Sequence, residues 1–447
     1  MNFYKKLILG IIIIGSIMRL TIFWVSPPNN SYDDHLEVIN IYSQEYNRPD
    51  PFQCWECYQP PVYYYVSATV LNISKFFGLR DYTCWKIVQL INPLLSIIVL
   101  YLAYKILSLI NVKESLIALT MSILVFLPRD IFTSVMIGND YMLVFFSVLS
   151  LYYYTIVIKK LNKGKKINVW VCALVLSSLL GSLTKQHGLL LYILPLTIAT
   201  VLYFKSNYRS LYFVIPVLFL GFFLSLSEEI RKYNKTGELL VSNQHFFDYA
   251  KGQFPGDLKK VEFHTFRISE LYREPFISEK TSASFFTELY ARTFFDYEWR
   301  FLDPKIPLTK NLGRILYSTG LIWLILLIVS MVIIIRDYIK KSIKLNLNDI
   351  TQKFIPILLS ILFFLVPLIQ TIRYPYFSSM KSMFMLPGII IFIIIFSSFM
   401  NEYSYKKSIG NLLIFINISS GLLLLFGLYH LTGLSLDNLS GPLWTIP

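Results

Sequence analysis

Apolar runs of about 18 to 22 residues, each long enough to cross a hydrocarbon layer roughly 30 Å thick, recur along this chain. Bounded by their polar breaks, they cover residues 7–25, 86–110, 115–132, 140–158, 168–184, 188–204, 211–227, 314–335, 354–372, 382–399 and 411–430. The pattern predicts an all-α polytopic membrane protein with about eleven transmembrane helices. One stretch, 60–78, follows another rule. Val62, Val66, Val70, Ile73 and Phe77 recur there at helical spacing, with Ser67, Asn72, Ser74 and Lys75 between them. This pattern predicts a helix lying along the membrane interface, where Tyr63-Tyr64-Tyr65 suits an aromatic belt. As a span it would invert every later loop.

The charges orient the array. Lys5-Lys6, Lys113, Lys159-Lys160, Lys163, Lys165-Lys166, Lys205, Arg209, Arg336, Lys340-Lys341, Lys344 and Lys406-Lys407 fall on one face if the spans alternate. Positive loops stay cytoplasmic, so the N-terminus is expected inside, in a plasma (inner) membrane protein. The first run is long and leads into Ser26-Pro27-Pro28 without a small-x-small cleavage site, which reads as a retained anchor. With 55% hydrophobic and 15% charged residues, the chain carries more apolar surface than a soluble core would absorb. The net charge of +14 is accounted for by topology, and no nucleic-acid partner is needed. Three parts are expected: a transmembrane catalytic module, 1–230, with the external loop 26–85; an extracytoplasmic helical loop, 228–312; and a C-terminal transmembrane module, 313–447.

The opposite face collects the unusual chemistry. Asp33-Asp34-His35 follows the first span, Gly138-Asn139-Asp140 opens another, Lys185-Gln186-His187 forms a corner, and a turn runs from Arg373 to Lys381. All five histidines, His35, His187, His245, His264 and His430, lie on or near that side. Carboxylates kept at a bilayer edge point to function, whereas span interiors look nearly free of charge, unlike a transport pathway. The pair Cys54 and Cys57, exposed on an oxidising face, is expected to form a disulfide that stiffens its loop. Cys84 could compete for pairing, and Cys172 reads as a membrane-buried small hydrophobe.

The order of these motifs resembles the GT-C membrane glycosyltransferases, in particular the protein O-mannosyltransferase and aminoarabinose-transferase branch. The elements are the acidic-His loop after the first span, Pro60-Pro61-Val62-Tyr63-Tyr64, Asn139-Asp140 opening a span and Thr184-Lys185-Gln186-His187-Gly188 closing another. The resemblance covers residues 1 to about 230 well and the turn Arg373 to Pro387 loosely. It implies a polyprenyl-phosphate-linked sugar donor and a catalytic acidic pair in the first external loop. The usual pair is Asp-Glu, and here it is Asp33-Asp34, so which carboxylate is the base stays open.

Chemistry reaches the same residues independently. Moving a sugar from a lipid phosphate to a hydroxyl of a lipid, glycan or protein needs a base for the hydroxyl proton, a role for Asp33 or Asp34, with Asp140 a further catalytic carboxylate. The leaving phosphate needs positive charge, which Lys185, Arg373 and Lys381 carry at span ends on the correct face. Asp34, His35 and Asp140 could hold Mg²⁺ or Mn²⁺, with His35 as the imidazole ligand. Tyr63, Gln186 and His187 are candidates for substrate contact, and the transfer is expected to invert the sugar. Each residue also has a plainer use: the aspartates as helix caps, the cations as anchors reaching to the interface. In the loop 228–312, Phe246-Phe247, Phe254-Pro255-Gly256, Ser284-Phe285-Phe286, Tyr290 and Phe294-Phe295-Asp296-Tyr297 predict a small helical cap. Glu288, Arg292 and Asp296 fall at helical spacing within it. A lipid or glycan transporter would need charges at mid-membrane, and a non-catalytic envelope-assembly protein would tolerate loss of the acidic pair.

Overall fold

The computed structural model describes residues 3–30, 32–45, 47–239, 241–243, 246, 259–341, 350–374, 379–401 and 407–430, and these are helical and loop in structure, with no strand among them. Nine helices among them are long and apolar enough to cross a membrane, from Phe3–Val25 to Ser408–Gly427. The chain is a multi-pass membrane protein. The other two predicted spans fall on shorter apolar helices, Glu114–Val125 and Asn168–Ser182, of 12 and 15 residues. The first stops early because Pro128 cannot donate its N–H and biases Leu127 to extended backbone, at φ −68 and ψ 113. A separate short helix, Pro128–Thr133, starts with that proline at its first turn. Arg129 and Asp130, which the apolar reading carried inside 115–132, therefore leave the span.

Span interiors are less free of charge than the pattern indicated. Arg19, in the first helix, is fully buried and pairs with Asp130 through Nη2. Arg19 Nη1 donates to the Val125 carbonyl at 3.0 Å and Nε to Ser96 Oγ at 2.5 Å, while Tyr141 OH donates to Asp130 Oδ1 at 2.8 Å. The pair locks Phe3–Val25, Glu114–Val125 and Asp140–Asn162 together. Asp140–Asn162 is one of the two most enclosed long helices and packs on Ile91–Leu109, Asn168–Ser182 and Leu386–Met400. Cys172 lies on the exposed side of Asn168–Ser182, because Val171, Leu174, Val175 and Ser178 supply the packed side.

The interfacial helix is Val62–Phe76, at 15 residues about 22 Å long and too short to cross. It packs through Tyr63, Tyr64, Ser67, Ala68, Leu71 and Ser74, and leaves Val66, Ile73, Phe76 and Phe77 exposed. The apolar stripe thus faces away from the protein, as lipid contact requires. In the loop 228–312, helices Ile268–Arg273, Glu279–Ser282 and Phe285–Phe294 form a cap. Glu288 and Arg292 pair at 2.8 Å. Asp296 does not join them, because the helix ends at Phe294; its carboxylate instead accepts the backbone N–H groups of Arg300, Phe301 and Leu302 at 2.6 to 3.0 Å. His245, Phe247, Phe254-Pro255-Gly256, Lys344, Lys406 and residues 431–447 lie outside the described residues.

Candidate active site

Several helix ends meet at one end of the bundle. The chain leaves Phe3–Val25 there, enters Asp140–Asn162, leaves Asn168–Ser182 and enters Leu386–Met400 through the turn Ser382–Met385. The loop 26–85 is stitched to this end by backbone and amide contacts. Ile137 N–H donates to the Asn29 carbonyl at 3.0 Å, and Asn30 Nδ2 donates to the Ile137 carbonyl at 2.9 Å. Asn30 Oδ1 then accepts the N–H groups of Tyr32 and Asp33 at 2.9 and 3.2 Å, fixing the turn that carries the acidic pair. Gly138 makes this fit possible: a Cβ there would stand 2.7 Å from Asn30 Nδ2 and 3.2 Å from the His35 ring.

The turn sends the two aspartates in opposite directions. Asp33 points inward, and Lys381 Nζ donates to its two oxygens at 3.0 and 2.9 Å. Burial pushes the Asp33 carboxyl up, but Lys381, His35 and Lys185 together outweigh that and hold it below the usual range. Asp34 is exposed and caps the helix His35–Glu45, accepting the Glu37 N–H at 3.1 Å. His35 is buried, with Nδ1 2.8 Å from Tyr64 OH and its ring stacked on Tyr64; burial lowers its pKa to about 4. Tyr63 packs edge-on against His35, with ring centroids 6.5 Å apart.

A second pair lies beside the first. Asp140 opens its helix, where the N-terminal dipole favours a carboxylate, and pairs with Lys185 Nζ. Lys185 reaches it because the Gln186–Tyr192 turn folds back onto Asn168–Ser182. Gly188 lies directly against the backbone of Gly181, a contact no side chain would permit. The Lys185 ammonium also stands 5.1 Å over the Phe384 ring. Gln186 Nε2 donates to the Val241 carbonyl at 3.0 Å, and His187 sits edge-on to Phe363 and Phe384. Arg373 stands off from these pairs, 3.7 Å from Glu238 and over the Tyr374 ring.

Three parts of the site were not read from the sequence. Glu56 lies between Cys54 and Cys57, whose sulfurs are bonded, and its carboxyl is buried. It accepts from Gln59 Nε2 at 2.9 Å and Asn243 Nδ2 at 3.3 Å, and burial, with Asp33 nearby, raises its pKa to about 8. Gln59 continues the chain by accepting from Asn139 Nδ2 at 3.2 Å, and Asn139 also holds the Thr184 carbonyl at 3.1 Å. Tyr32 is the third: Arg129, Arg300 and Lys381 stand 5.5, 5.4 and 5.7 Å from its ring centre. Arg129 was hidden inside a presumed span and Arg300 in a distant loop.

The residues do not fit a divalent cation as arranged. Lys381 and Lys185 occupy the Asp33 and Asp140 carboxylates, and Asp34 is turned outward. Among the described residues no group of three His, Cys, Asp or Glu side chains converges to hold a metal ion. No step below passes through a metal.

Residues 64–226 match the family model of dolichyl-phosphate-mannose-protein mannosyltransferase. The resemblance to the protein mannosyltransferases is borne out over that segment, which includes Asp140 and Lys185 but neither Asp33 nor Lys381. The structure is similar to the archaeal oligosaccharyltransferase AglB from Archaeoglobus fulgidus, solved in complex with an inhibitory peptide and a dolichol-phosphate. That similarity has a TM-score of 0.48 at 11% identity, over 95% of this chain and 56% of that one. The chain thus spans little more than half the length of the archaeal protein. It is also similar to ArnT from Cupriavidus metallidurans in the apo state, with a TM-score of 0.36 at 13% identity, over 87% of this chain and 77% of that one. No curated protein matches the chain in sequence.

Proposed function

We propose that the chain is a membrane glycosyltransferase that moves a sugar from a polyprenyl-phosphate donor to a hydroxyl on a lipid, glycan or protein. The observation that carries this reading is the pair of lysine-held aspartates, Asp33 with Lys381 and Asp140 with Lys185, gathered at one end of the bundle. The mannosyltransferase match over 64–226 supports it.

The donor phosphate is a competing anion for Lys381 and Lys185. When it enters, Lys381 turns from Asp33 to the phosphate, and Asp33 becomes an unpaired carboxylate within the site. It takes the acceptor hydroxyl proton as the hydroxyl oxygen bonds to the anomeric carbon. The carbon–oxygen bond to phosphate breaks, its electron pair leaves with the phosphate, and the lysines, with the cations around Tyr32, balance that charge. A single displacement of this kind inverts the anomeric carbon. Asp140 holds Lys185 in place. The lysine-rich loops support a reading in which this end lies outside the plasma membrane and the N-terminus inside.

Purified protein in nanodiscs, incubated with radiolabelled polyprenyl-phosphate sugars and hydroxyl acceptors, is the test. Donor-dependent transfer with inversion is the expected result. Binding of every donor without cleavage or transfer would refute an enzymatic role.

A further inference from the structure

A small open cleft of about 60 Å³ lies beside Lys185, and it leaves buried polar atoms without partners. His187 is held between Phe363 and Phe384, with ring centroids 6.1 Å from each, and its Nε2 is buried with no hydrogen-bond partner. Ser242, at 5% exposure, has its Oγ in the same condition in the same cleft. A buried polar group left unpaired is costly, so two in one cleft call for a ligand that completes them. The remaining walls suit a particular one. Phe384 and Val366 offer an apolar face, Gln186 and Gln370 add amides, and Lys185 stands at the edge next to Asp140.

We propose that this cleft receives the sugar ring of the donor, an uncharged, hydroxyl-rich ring. Its C–H face lies on Phe384, and its hydroxyls hydrogen-bond His187 Nε2 and Ser242 Oγ. The proposal rests on the glycosyltransferase reading and names the recognition residues of that same site. A hydroxyl both donates and accepts, so either tautomer of His187 is satisfied. The anomeric phosphate then falls to Lys185, which joins the cleft to the aspartate cluster. Among the described residues no carboxylate lines the cleft to pair an ammonium-bearing sugar, which is why the ring is assigned as uncharged.

The test compares polyprenyl phosphate, polyprenyl-phosphate hexose and a polyprenyl-phosphate amino sugar binding to protein in nanodiscs. Wild type binds the hexose lipid more tightly than the bare lipid phosphate by about tenfold, the worth of one or two hydrogen bonds. His187→Ala and Ser242→Ala each remove part of that increment and leave bare lipid phosphate binding unchanged. Ser242→Ala, a smaller change, carries the test if His187→Ala fails to fold. Variants that bind all three lipids as wild type does, or weaken the hexose and bare lipids equally, overturn the subsite. So does tighter binding of the amino sugar. Failure of the wild type to bind or cleave any of the three overturns the glycosyltransferase reading instead.

Discussion

Two groups of buried opposite charges differ in how completely they are closed. Arg19 and Asp130 are 0% and 2% exposed, and further contacts to Ser96, Val125 and Tyr141 complete them. Lys381 and Asp33 are 11% and 15% exposed. Lysine there is a point charge on a flexible stem and can change partners, while the arginine's fixed fork is fully committed across three helices. A saturated pair is a fastener, and a pair with spare capacity can exchange its anion.

The largest expected effect separates the two groups by turnover. Asp33→Asn keeps size and hydrogen bonding but cannot take a proton, so turnover falls by about 10²–10⁴-fold while donor affinity holds or rises, because Lys381 loses its competing anion. Steady-state kinetics in one lipid checks this, and wild-type turnover would return Asp33 to the status of a structural charge. Arg19→Met should do the reverse. Leaving Asp130 buried and unpaired costs about 3–5 kcal/mol, seen as a lower unfolding temperature, while the folded fraction turns over normally.

Next come the exchangeable cations. Lys381→Ala and Lys185→Ala each remove a charge-assisted bond to phosphate of about 1.5–3 kcal/mol, so donor KM rises by tenfold or more. A fall in kcat with unchanged KM would assign the lysines another role. Glu56 gives a smaller, pH-dependent signal. Its carboxyl titrates near 4.5 when unfolded and at about 8 when folded. Between those values the native state keeps a proton that the unfolded state has released, so stability falls as pH rises through the window. Glu56→Gln should flatten that slope, at most about 1.4 kcal/mol per pH unit, in unfolding scans from pH 5 to 8. Smallest of all is Asp34. Asparagine caps as well as aspartate, so Asp34→Asn leaves turnover within about twofold, and Asp34→Ala costs about 1 kcal/mol of stability. A large loss of turnover in Asp34→Asn would mean that the outward aspartate also reaches substrate.

Sequence alone carried the membrane helices, because apolar length is a local property, and it gathered Asp33, Asp140, Lys185 and Lys381 on one face through loop polarity. It could not choose between Asp33 and Asp34. That choice depends on where the helix begins, and its start at His35 makes Asp34 the cap. Glu56 escaped notice because its partner Asn243 lies far along the chain, and a glutamate between two cysteines has no signature of its own. Arg129 and Asp130 were absorbed into an apolar window whose average hid the break at Pro128.

Lys381 and Lys185 are already neutralised by the protein's own aspartates, and on the proposed glycosyltransferase reading this sets how the cycle would close. The incoming lipid must displace an internal competitor, so part of its intrinsic affinity is spent on that exchange. After transfer the same competitor returns and helps expel the spent polyprenyl phosphate. A bare row of lysines would hold that product and stall, whereas these aspartates let the site reset itself.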